Sequence, residues 1–374
     1  MSEVTVGLSG GTQPPLRQIS MALRLARSPW FDTLWTVDHF VGFFPKAIWD
    51  EDFSWMAKPG TTPDAYYDYQ TLLGYLARRA GNVRLAVGVT EPVRRHPMLL
   101  AQAFLTLTHM VKRRPILGIG SGERENIEPF GLDFEAPVSR LEEALQILRM
   151  VFDGEGPIDF QGRFHQLDHA EMDLRPGAVG APEIWVAAHG PRMLRLCGTY
   201  ADGWWPTLPM SPDDYAGKLH AIRAAARLAR RDPAAITPGY QVFCVIGRSE
   251  KHARKLLDTK PVRLSALLAT DEVWKAAGLT HPLGEGFGGM IDIVPSRYSR
   301  AELEDAMAKV PVEMLADLVV WGTRERVLDQ LRDYVEVGLR HVVLAPVSGL
   351  VSRRDAIGAV RSIVWIARRM RSGR

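Results

Sequence analysis

Short apolar runs alternate with longer segments of helical periodicity along most of the chain. The first run covers residues 4–9, and Ile19, Leu23 and Leu25 follow it at helical spacing. The later runs, each a predicted strand, cover residues 32–37, 83–90, 116–120, 184–188, 201–206, 240–246 and 341–345. Eight strands alternating with helices predict an α/β fold, a (β/α)8 TIM barrel that residues 1–374 form as a single domain.

Three segments interrupt the alternation and are expected to be insertions into the barrel. Residues 40–63 form a long loop rich in aromatic side chains, residues 154–180 contain a small hairpin, and residues 269–311 have an irregular, glycine-rich pattern. The alternative fold is an open doubly wound sheet, which normally has a G-x-G-x-x-G fingerprint after its first strand. Residues 7–11 do not supply that fingerprint, so the barrel is favoured.

Composition narrows the classes of function that the chain can have. With 46% hydrophobic and 24% charged residues, the chain is globular and can build a large core. The net charge of +3 over 374 residues is too small and too dispersed to indicate a nucleic-acid partner. We therefore expect a partner that is a small molecule.

Cysteine usage and the length of the apolar runs indicate the compartment. Cys197 and Cys244 offer neither a disulfide framework nor a metal-binding spacing, which favours a reducing compartment. No apolar run reaches the roughly 18 residues of a membrane span, so we expect a cytoplasmic protein without a span or a signal peptide. The arginine-rich C-terminus could touch acidic lipid at the inner face of the membrane, or it is a solvated helix face. Whether the barrel forms a homodimer stays open.

Polar residues cluster where three predicted strands end. Asp38 and His39 follow the second strand, residues 121–123 follow the fourth and residues 189–191 follow the fifth. In a (β/α)8 barrel the carboxyl ends of the strands meet at the rim that carries the active site, so we expect these groups to converge. Alternatively, Asp38 only caps the next segment and His39 is an ordinary half-buried imidazole.

The residue types at these strand ends favour acid–base chemistry. His39 could donate a hydrogen bond to a developing oxyanion, with Asp38 fixing its tautomer. Glu123 could be a general acid or base, or a surface carboxylate beside Arg124. A zinc site of His39, His96 and Glu123 lacks the spacing that a helix gives to metal ligands, so we predict no metal.

Glycines and aromatic residues near the strand ends indicate where ligands bind. Gly120 and Gly122 let backbone amides approach a ligand, and Gly190 before Pro191 exposes amides to an anion such as phosphate, unless these glycines only make tight turns. The aromatic loop either lines an apolar substrate pocket or packs over the end of the barrel. Its candidate substrate-binding residues are Phe43, Phe44 and Trp49.

A set of short motifs lies at these strand ends: Val37-Asp38-His39-Phe40, Gly88-Val89-Thr90-Glu91-Pro92 with Arg95-His96-Pro97, Gly118-Ile119-Gly120-Ser121-Gly122-Glu123, Ala188-His189-Gly190-Pro191 and Tyr200-Ala201-Asp202-Gly203-Trp204. Together they resemble the bacterial luciferase-like superfamily, and most closely its branch that uses coenzyme F420. The resemblance extends from residue 4 to about residue 350. The motifs are individually short but jointly specific.

The resemblance implies an oxidoreductase with reduced F420 as its hydride donor. It implies catalytic roles for Asp38, His39 and Glu123 beside the deazaflavin ring, and a non-proline cis peptide at Gly88–Val89 behind that ring. The cofactor-binding residues that it implies are Gly88, Val89, Thr90, Ser121, Gly122, Asn126, His189, Gly190 and Pro191.

The resemblance also bears on the substrate. The sugar-phosphate dehydrogenases of this branch have a tryptophan soon after the Asp-His pair, where this chain has Val41, Gly42 and Phe43. This departure argues against a sugar phosphate, and the aromatic loop favours a ketoreductase that acts on the keto group of a long-chain cell-envelope lipid. The alternatives are an FMN-dependent monooxygenase, an F420-dependent dehydrogenase of another alcohol, and a flavin- or lipid-binding barrel without enzymatic activity.

Overall fold

The computed structural model describes residues 4–372, and their central element is a closed parallel β-barrel. Within this range the strands are β1 (Thr5–Ser9), β2 (Thr33–Thr36), β3 (Arg84–Thr90), β4 (Ile116–Ile119), β5 (Ile158–Gln161), β6 (Gln166–Ala170), β7 (Glu183–Val186), β8 (Gly203–Trp204), β9 (Thr237–Ile246), β10 (Val320–Gly322) and β11 (His341–Pro346). The barrel closes in the order β1, β2, β3, β4, β7, β8, β9, β11 and back to β1. The predicted (β/α)8 barrel is therefore confirmed.

Helices surround the barrel. Within the described residues they are α1 (Leu16–Ala26), α2 (Tyr69–Ala77), α3 (Pro97–Thr108), α4 (Pro137–Asp153), α5 (Pro191–Tyr200), α6 (Pro212–Leu228), α7 (Glu250–Leu257), α8 (Lys260–Leu267), α9 (Asp271–Ala276), α10 (Arg300–Ala308), α11 (Val312–Leu318), α12 (Arg324–Glu336) and α13 (Arg353–Ser372). Three of these helices have side-chain N-caps, which accept hydrogen bonds from backbone amides of the first turn: Asp68 for α2, Ser211 for α6 and Thr323 for α12. These caps satisfy amides that have no partner within the helix. Across residues 4–372, no helix combines the length and the apolar character that crossing a bilayer requires.

Tryptophan side chains fill the barrel below its C-terminal rim. Trp35 stacks on Trp205 with ring centroids 3.7 Å apart, and Trp185 is tilted against both rings. A Cβ on Gly203 would lie 2.3 Å from the Trp185 ring, so the layer requires glycine there. Because side chains occupy the interior at this level, a ligand of the barrel binds above it, at the rim.

Several predicted boundaries differ from those of the structure. The sequence pattern predicts a helix from residue 64, but α2 begins at Tyr69, because the Asp68 side chain caps it. The pattern also predicts one helix over residues 250–268, where the structure has two, α7 and α8, and Pro261 lies in the first turn of α8. Proline fits only there, because it has no N–H to donate to a preceding turn. The short strand β10, which was not predicted, pairs in parallel with β9.

The three segments expected to be insertions have different structures. Residues 154–180 contain the predicted hairpin, formed by β5 and β6. Residues 269–311 are not irregular throughout, since they contain all of α9 and α10, and a Ser299–Glu302 capping box begins α10. Residues 40–63 pack on a second apolar cluster beside α8 and α10, where Ile48 and Phe53 are buried.

Candidate active site

The end of β2 is anchored by Asp38, whose carboxylate is buried. Its Oδ2 accepts hydrogen bonds from the Thr90 hydroxyl at 2.7 Å and from Arg95 Nε at 3.2 Å. Arg94 Nη2 lies 3.3 Å from Oδ2 and donates to the Asp38 carbonyl at 2.8 Å. Two guanidinium groups and a hydroxyl compensate the buried charge, and they fix the position of the strand end.

His39 is held by Asn126, in the loop that follows β4. Asn126 Oδ1 accepts from the backbone N–H groups of Phe40 at 2.7 Å and Val41 at 3.1 Å, which fixes the orientation of the amide. Asn126 Nδ2 then points at His39 Nδ1, 2.9 Å away. Because Nδ2 can only donate, this contact suits the tautomer in which Nδ1 accepts and Nε2 carries the proton, whereas the Val41 carbonyl, 3.1 Å from Nδ1, suits the other tautomer.

This geometry corrects one prediction. Asp38 does not fix the tautomer of His39, because neighbouring residues of an extended chain project to opposite sides and the Asp38 oxygens bind arginine and threonine side chains. Asn126, a predicted cofactor ligand, is buried, and its amide binds His39 and the chain that follows it, so its contact with the cofactor stays a prediction.

Two carboxyl groups approach His39 from one loop. Glu123 Oε2 lies 3.8 Å from His39 Nδ1, and Glu125 Oε1 lies 3.5 Å from it. Loss of hydration raises the pKa of Glu123 to about 7. Complete burial, together with the negative charge of Asp64, raises the pKa of Glu125 to about 9. At neutral pH Glu125 is a neutral acid, and Glu123 is close to its midpoint.

The loop that carries both carboxyl groups is tied to the outside of the barrel by Arg124. Its guanidinium binds Asp292 at 2.8 Å and also pairs with Glu128. Glu123 is therefore not the surface partner of Arg124 that the sequence allowed, since the two side chains bind different groups. Through Asp292, the segment 269–311 supports the position of the active-site loop.

Backbone groups line the rim between β3 and β4. The Gly88–Val89 peptide is cis, as the resemblance implies. A Cβ on Gly120 would lie 3.1 Å from the Val89 side chain, and Gly122, at φ +92°, has Ile127 2.7 Å from the position of a Cβ. Ser121 between them is partly exposed. Thr90 was predicted to bind the cofactor, but it is completely buried and its hydroxyl donates to Asp38, so its side chain supports Asp38 instead.

The N-terminus of α5 is open. Its N-cap is Gly190, whose position offers no capping side chain, and a Cβ there would meet no atom within 4 Å. Pro191 occupies the first turn, and Lys218 Nζ donates to the His189 carbonyl at 3.1 Å. Burial, with the Lys218 ammonium nearby, lowers the pKa of His189 to about 4. Amides that no side chain caps and an adjacent ammonium suit an anion such as a phosphate.

The aromatic loop lies partly beside His39 and partly over the end of the barrel. The Phe43 ring meets the His39 ring edge-on, with centroids 5.3 Å apart. Phe44 and Trp49 pack on Phe53, at 5.9 and 6.0 Å, and so join the second apolar cluster. Phe43 thus faces the site, whereas the other two mainly cover the end of the barrel.

The sequence patterns did not predict that Glu125 and Tyr66 lie at the site. Glu125 lies in an Arg-Glu-Asn run that is typical of a solvated loop, and nothing in that run predicts complete burial. Tyr66 lies beside His39, with ring centroids 5.6 Å apart, and its hydroxyl leaves room only for glycine at Gly42. His96, part of the conceivable zinc set, caps α3 and packs on His165 instead of joining His39.

A closed (β/α)8 barrel with a histidine and two carboxyl groups at its C-terminal rim defines a barrel enzyme with an acid–base site. The model of the luciferase-like monooxygenase family matches residues 2–341, and the chain belongs to that family. It is 38% identical over 334 residues to the phthiodiolone/phenolphthiodiolone dimycocerosates ketoreductase of Mycobacterium tuberculosis, a match that covers 88% of each chain. The protein is therefore an oxidoreductase.

Solved structures support the same fold. The F420-dependent tetrahydromethanopterin reductase of Methanopyrus kandleri superposes with a TM-score of 0.72 at 19% identity, over 98% of each chain. An F420-dependent secondary alcohol dehydrogenase, in complex with an F420–acetone adduct, gives a TM-score of 0.71 at 18% identity, over 92% of this chain and 94% of that one. At these identities the similarity establishes the barrel fold.

Proposed function

We propose that this protein is an F420-dependent ketoreductase that reduces the keto group of a long-chain lipid of the phthiodiolone dimycocerosate type. The proposal is supported by 38% identity to a ketoreductase whose name states that substrate. Two F420-dependent enzymes among the structurally similar proteins support the choice of cofactor.

The residues at the rim fit such a cofactor. The open N-terminus of α5 and the neighbouring Lys218 offer amide and ammonium donors to a phosphate. Glycine is required at positions 120 and 122 because the Val89 and Ile127 side chains fill the space of a Cβ, which lets this backbone approach closely to the rim. When bound, reduced F420 supplies a hydride from its deazaflavin ring.

The observation that carries the proposal is the way His39 is held. In the tautomer in which Nδ1 accepts from Asn126, at 2.9 Å, the proton is on Nε2, which has no hydrogen-bond partner within residues 4–372. A carbonyl that receives a hydride develops negative charge on oxygen and needs a donor there. We assign His39 the role of that donor, which gives its proton to the new alkoxide.

The neighbouring residues have supporting roles. Asp38, bound to Arg94 and Arg95, fixes the strand end from which His39 projects. Glu123, with its pKa near 7, can take up or release a proton at the cofactor ring. Phe43 provides an apolar surface next to His39 for an alkyl chain.

Equilibrium binding of F420 and of FMN to the purified protein, followed by fluorescence, tests the cofactor. Oxidation of reduced F420 on addition of phthiodiolone dimycocerosate in detergent tests the reaction. We expect F420 binding, no FMN binding and oxidation by the ketone. FMN binding alone would move the protein to the monooxygenases, and F420 binding with turnover of a different alcohol would make it a dehydrogenase.

Two finer assignments stay predictions. A homodimer is tested by sedimentation of the purified protein. A peripheral position at the inner face of the membrane, suggested by the arginines of α13, is tested by co-sedimentation with anionic vesicles.

A further inference from the structure

Glu125 is a buried acid that the mechanism above does not use. Its side chain is completely inaccessible, and its Oε1 accepts a hydrogen bond from Asn126 Nδ2 at 3.1 Å. Its Oε2 is buried and has no hydrogen-bond partner within residues 4–372. A carboxylate so poorly solvated would be costly, and a neutral acid suits the setting better.

Asp64 and Arg94 are the charged groups that act on the pKa of Glu125. Asp64 raises its pKa, whereas Arg94 and the hydrogen bond from Asn126 oppose that shift. His39 Nδ1 lies 3.5 Å away, and the donor atoms of His39, Glu123 and Glu125 all lie within 4.8 Å of one another. Glu125 is therefore the nearer of the two carboxyl groups to Nδ1, and a proton transfer requires this 3.5 Å separation to shorten to hydrogen-bond distance.

A cavity of about 130 Å³ is lined in part by Glu125. Lys46, two-thirds exposed, also lines it and binds Asp64 at 3.1 Å. Val41, Gly42, Phe44, Pro129 and Ser296 are among the other lining residues. The volume holds a few water molecules, but the Glu125 side chain is inaccessible to them, so this acid is sealed from solvent.

We propose that Glu125 relays a proton through His39 to the substrate oxygen during ketone reduction. The inference rests on the proposed function. The carbonyl carbon gains the hydride, and the electron pair of the C=O π bond moves to oxygen. That oxygen takes the proton of His39 Nε2, while the Nδ1 of the ring takes the proton of Glu125, which becomes a carboxylate. After the alcohol leaves, Nε2 takes a proton from solvent and Nδ1 returns its proton to Glu125, which restores the starting tautomer.

The surroundings of His39 Nδ1 fit this nitrogen both before and after it takes up the proton. When Nδ1 is unprotonated it accepts from Asn126 Nδ2, and when it is protonated it can donate to the Val41 carbonyl at 3.1 Å. Glu123 is a poorer source for this proton, because it is farther from Nδ1 and partly exposed. Tyr66 holds its own proton too firmly, because burial raises its pKa far above the ordinary value.

Glu125→Gln tests the relay, because glutamine keeps the shape and can still accept from Asn126 but cannot deliver a proton. We expect the single-turnover oxidation of reduced F420 by phthiodiolone dimycocerosate to slow by about 10²-fold, the lower end for a lost proton transfer. The affinity for F420 should stay unchanged. The wild-type rate should fall above about pH 9, where Glu125 has lost its proton, and this fall should be absent in Glu125→Gln. Glu171→Gln, on an exposed strand end, is the matched control. An unchanged rate in Glu125→Gln would overturn the relay.

Infrared spectroscopy of the cofactor-free protein separates this inference from the proposed function. At pH 7 the wild type should show the C=O stretch of a protonated carboxylic acid that is lost in Glu125→Gln, where only the half-protonated Glu123 contributes, and that disappears above about pH 9. Absence of that band at pH 7 would overturn the relay even if the enzyme reduces ketones. A wild type that shows the band but neither binds F420 nor reduces the ketone would overturn the proposed function itself.

Discussion

Asp38 and Glu125 are two buried carboxyl groups near the same imidazole, and their surroundings differ sharply. Asp38 meets two arginines and a hydroxyl, so its negative charge is compensated within hydrogen-bond distance. Glu125 meets one amide, and its second oxygen has no partner among the described residues. Equal burial thus goes with an ion pair in one case and with a neutral acid in the other.

The difference shows that partners, more than depth, decide what a buried carboxyl group can do. A compensated carboxylate fixes geometry, because moving it would separate charges in a poorly solvated place. A neutral acid with an unused oxygen can release its proton at small structural cost. The site therefore separates positioning, on the β2 side, from proton supply, on the β4 side.

His39 lies between these two groups, and its removal has the largest expected effect. His39→Ala should lower turnover by about 10²–10⁴-fold, the usual contribution of a general acid, and should leave F420 binding largely intact. Steady-state kinetics with the ketone substrate and fluorescence titration with F420 measure the two quantities. His220→Ala, on the exposed side of α6, is the control. Unchanged turnover would remove His39 from the mechanism.

Asp38→Asn tests the role of the carboxylate that Arg94 and Arg95 compensate. The substitution leaves the buried Arg94 and the partly buried Arg95 without the negative charge that they share, which should lower the free energy of unfolding by about 3 kcal/mol. Urea denaturation measures the change. Asp329→Asn removes an exposed ion pair with Arg332 and should change the stability by less than about 1 kcal/mol. Equal effects of the two substitutions would contradict the assigned role of Asp38.

The barrel and the location of its site follow from local sequence patterns, whereas the hydrogen-bond partners within the site do not. Apolar runs that end in polar residues are enough to predict the strands and to place His39 and Glu123 at one rim. The sequence does not give the direction of each side chain, so Asp38 was wrongly expected to fix the tautomer of His39. Asn126 has that position only because the loop after β4 folds back on residues 40 and 41.

Two further misses have identifiable causes. The start of α10 carries a Ser299–Glu302 capping box, a signal present in the sequence but obscured by the glycines before it. Glu125 had no such signal. Its burial is a tertiary effect, because the residues that share a cavity with it, among them Val41, Asp64 and Val294, are far away in the chain.

The pH dependence of stability tests whether Glu125, the carboxyl group without a compensating partner, is a neutral acid in the folded protein. Because the pKa of Glu125 is raised in the folded protein, the folded state holds a proton that the unfolded chain releases, so stability falls as pH rises towards about 9. Between pH 7 and 9 the fall should be at most about 1.4 kcal/mol per pH unit. Glu125→Gln should flatten it, and urea denaturation at several pH values measures both proteins. Equal slopes would contradict a neutral Glu125.

Lys46→Gln should have the smallest effect, although Lys46 also binds a carboxylate near the site. Its side chain is two-thirds exposed, and solvent already screens its pair with Asp64, so the free energy of unfolding should change by less than about 1 kcal/mol. The infrared band of Glu125 should persist at pH 7, because burial rather than Lys46 keeps that acid protonated. Lys58→Gln, an exposed lysine of the same loop, is the control. A loss as large as that of Asp38→Asn would mean that exposure does not decide what an ion pair contributes at this rim.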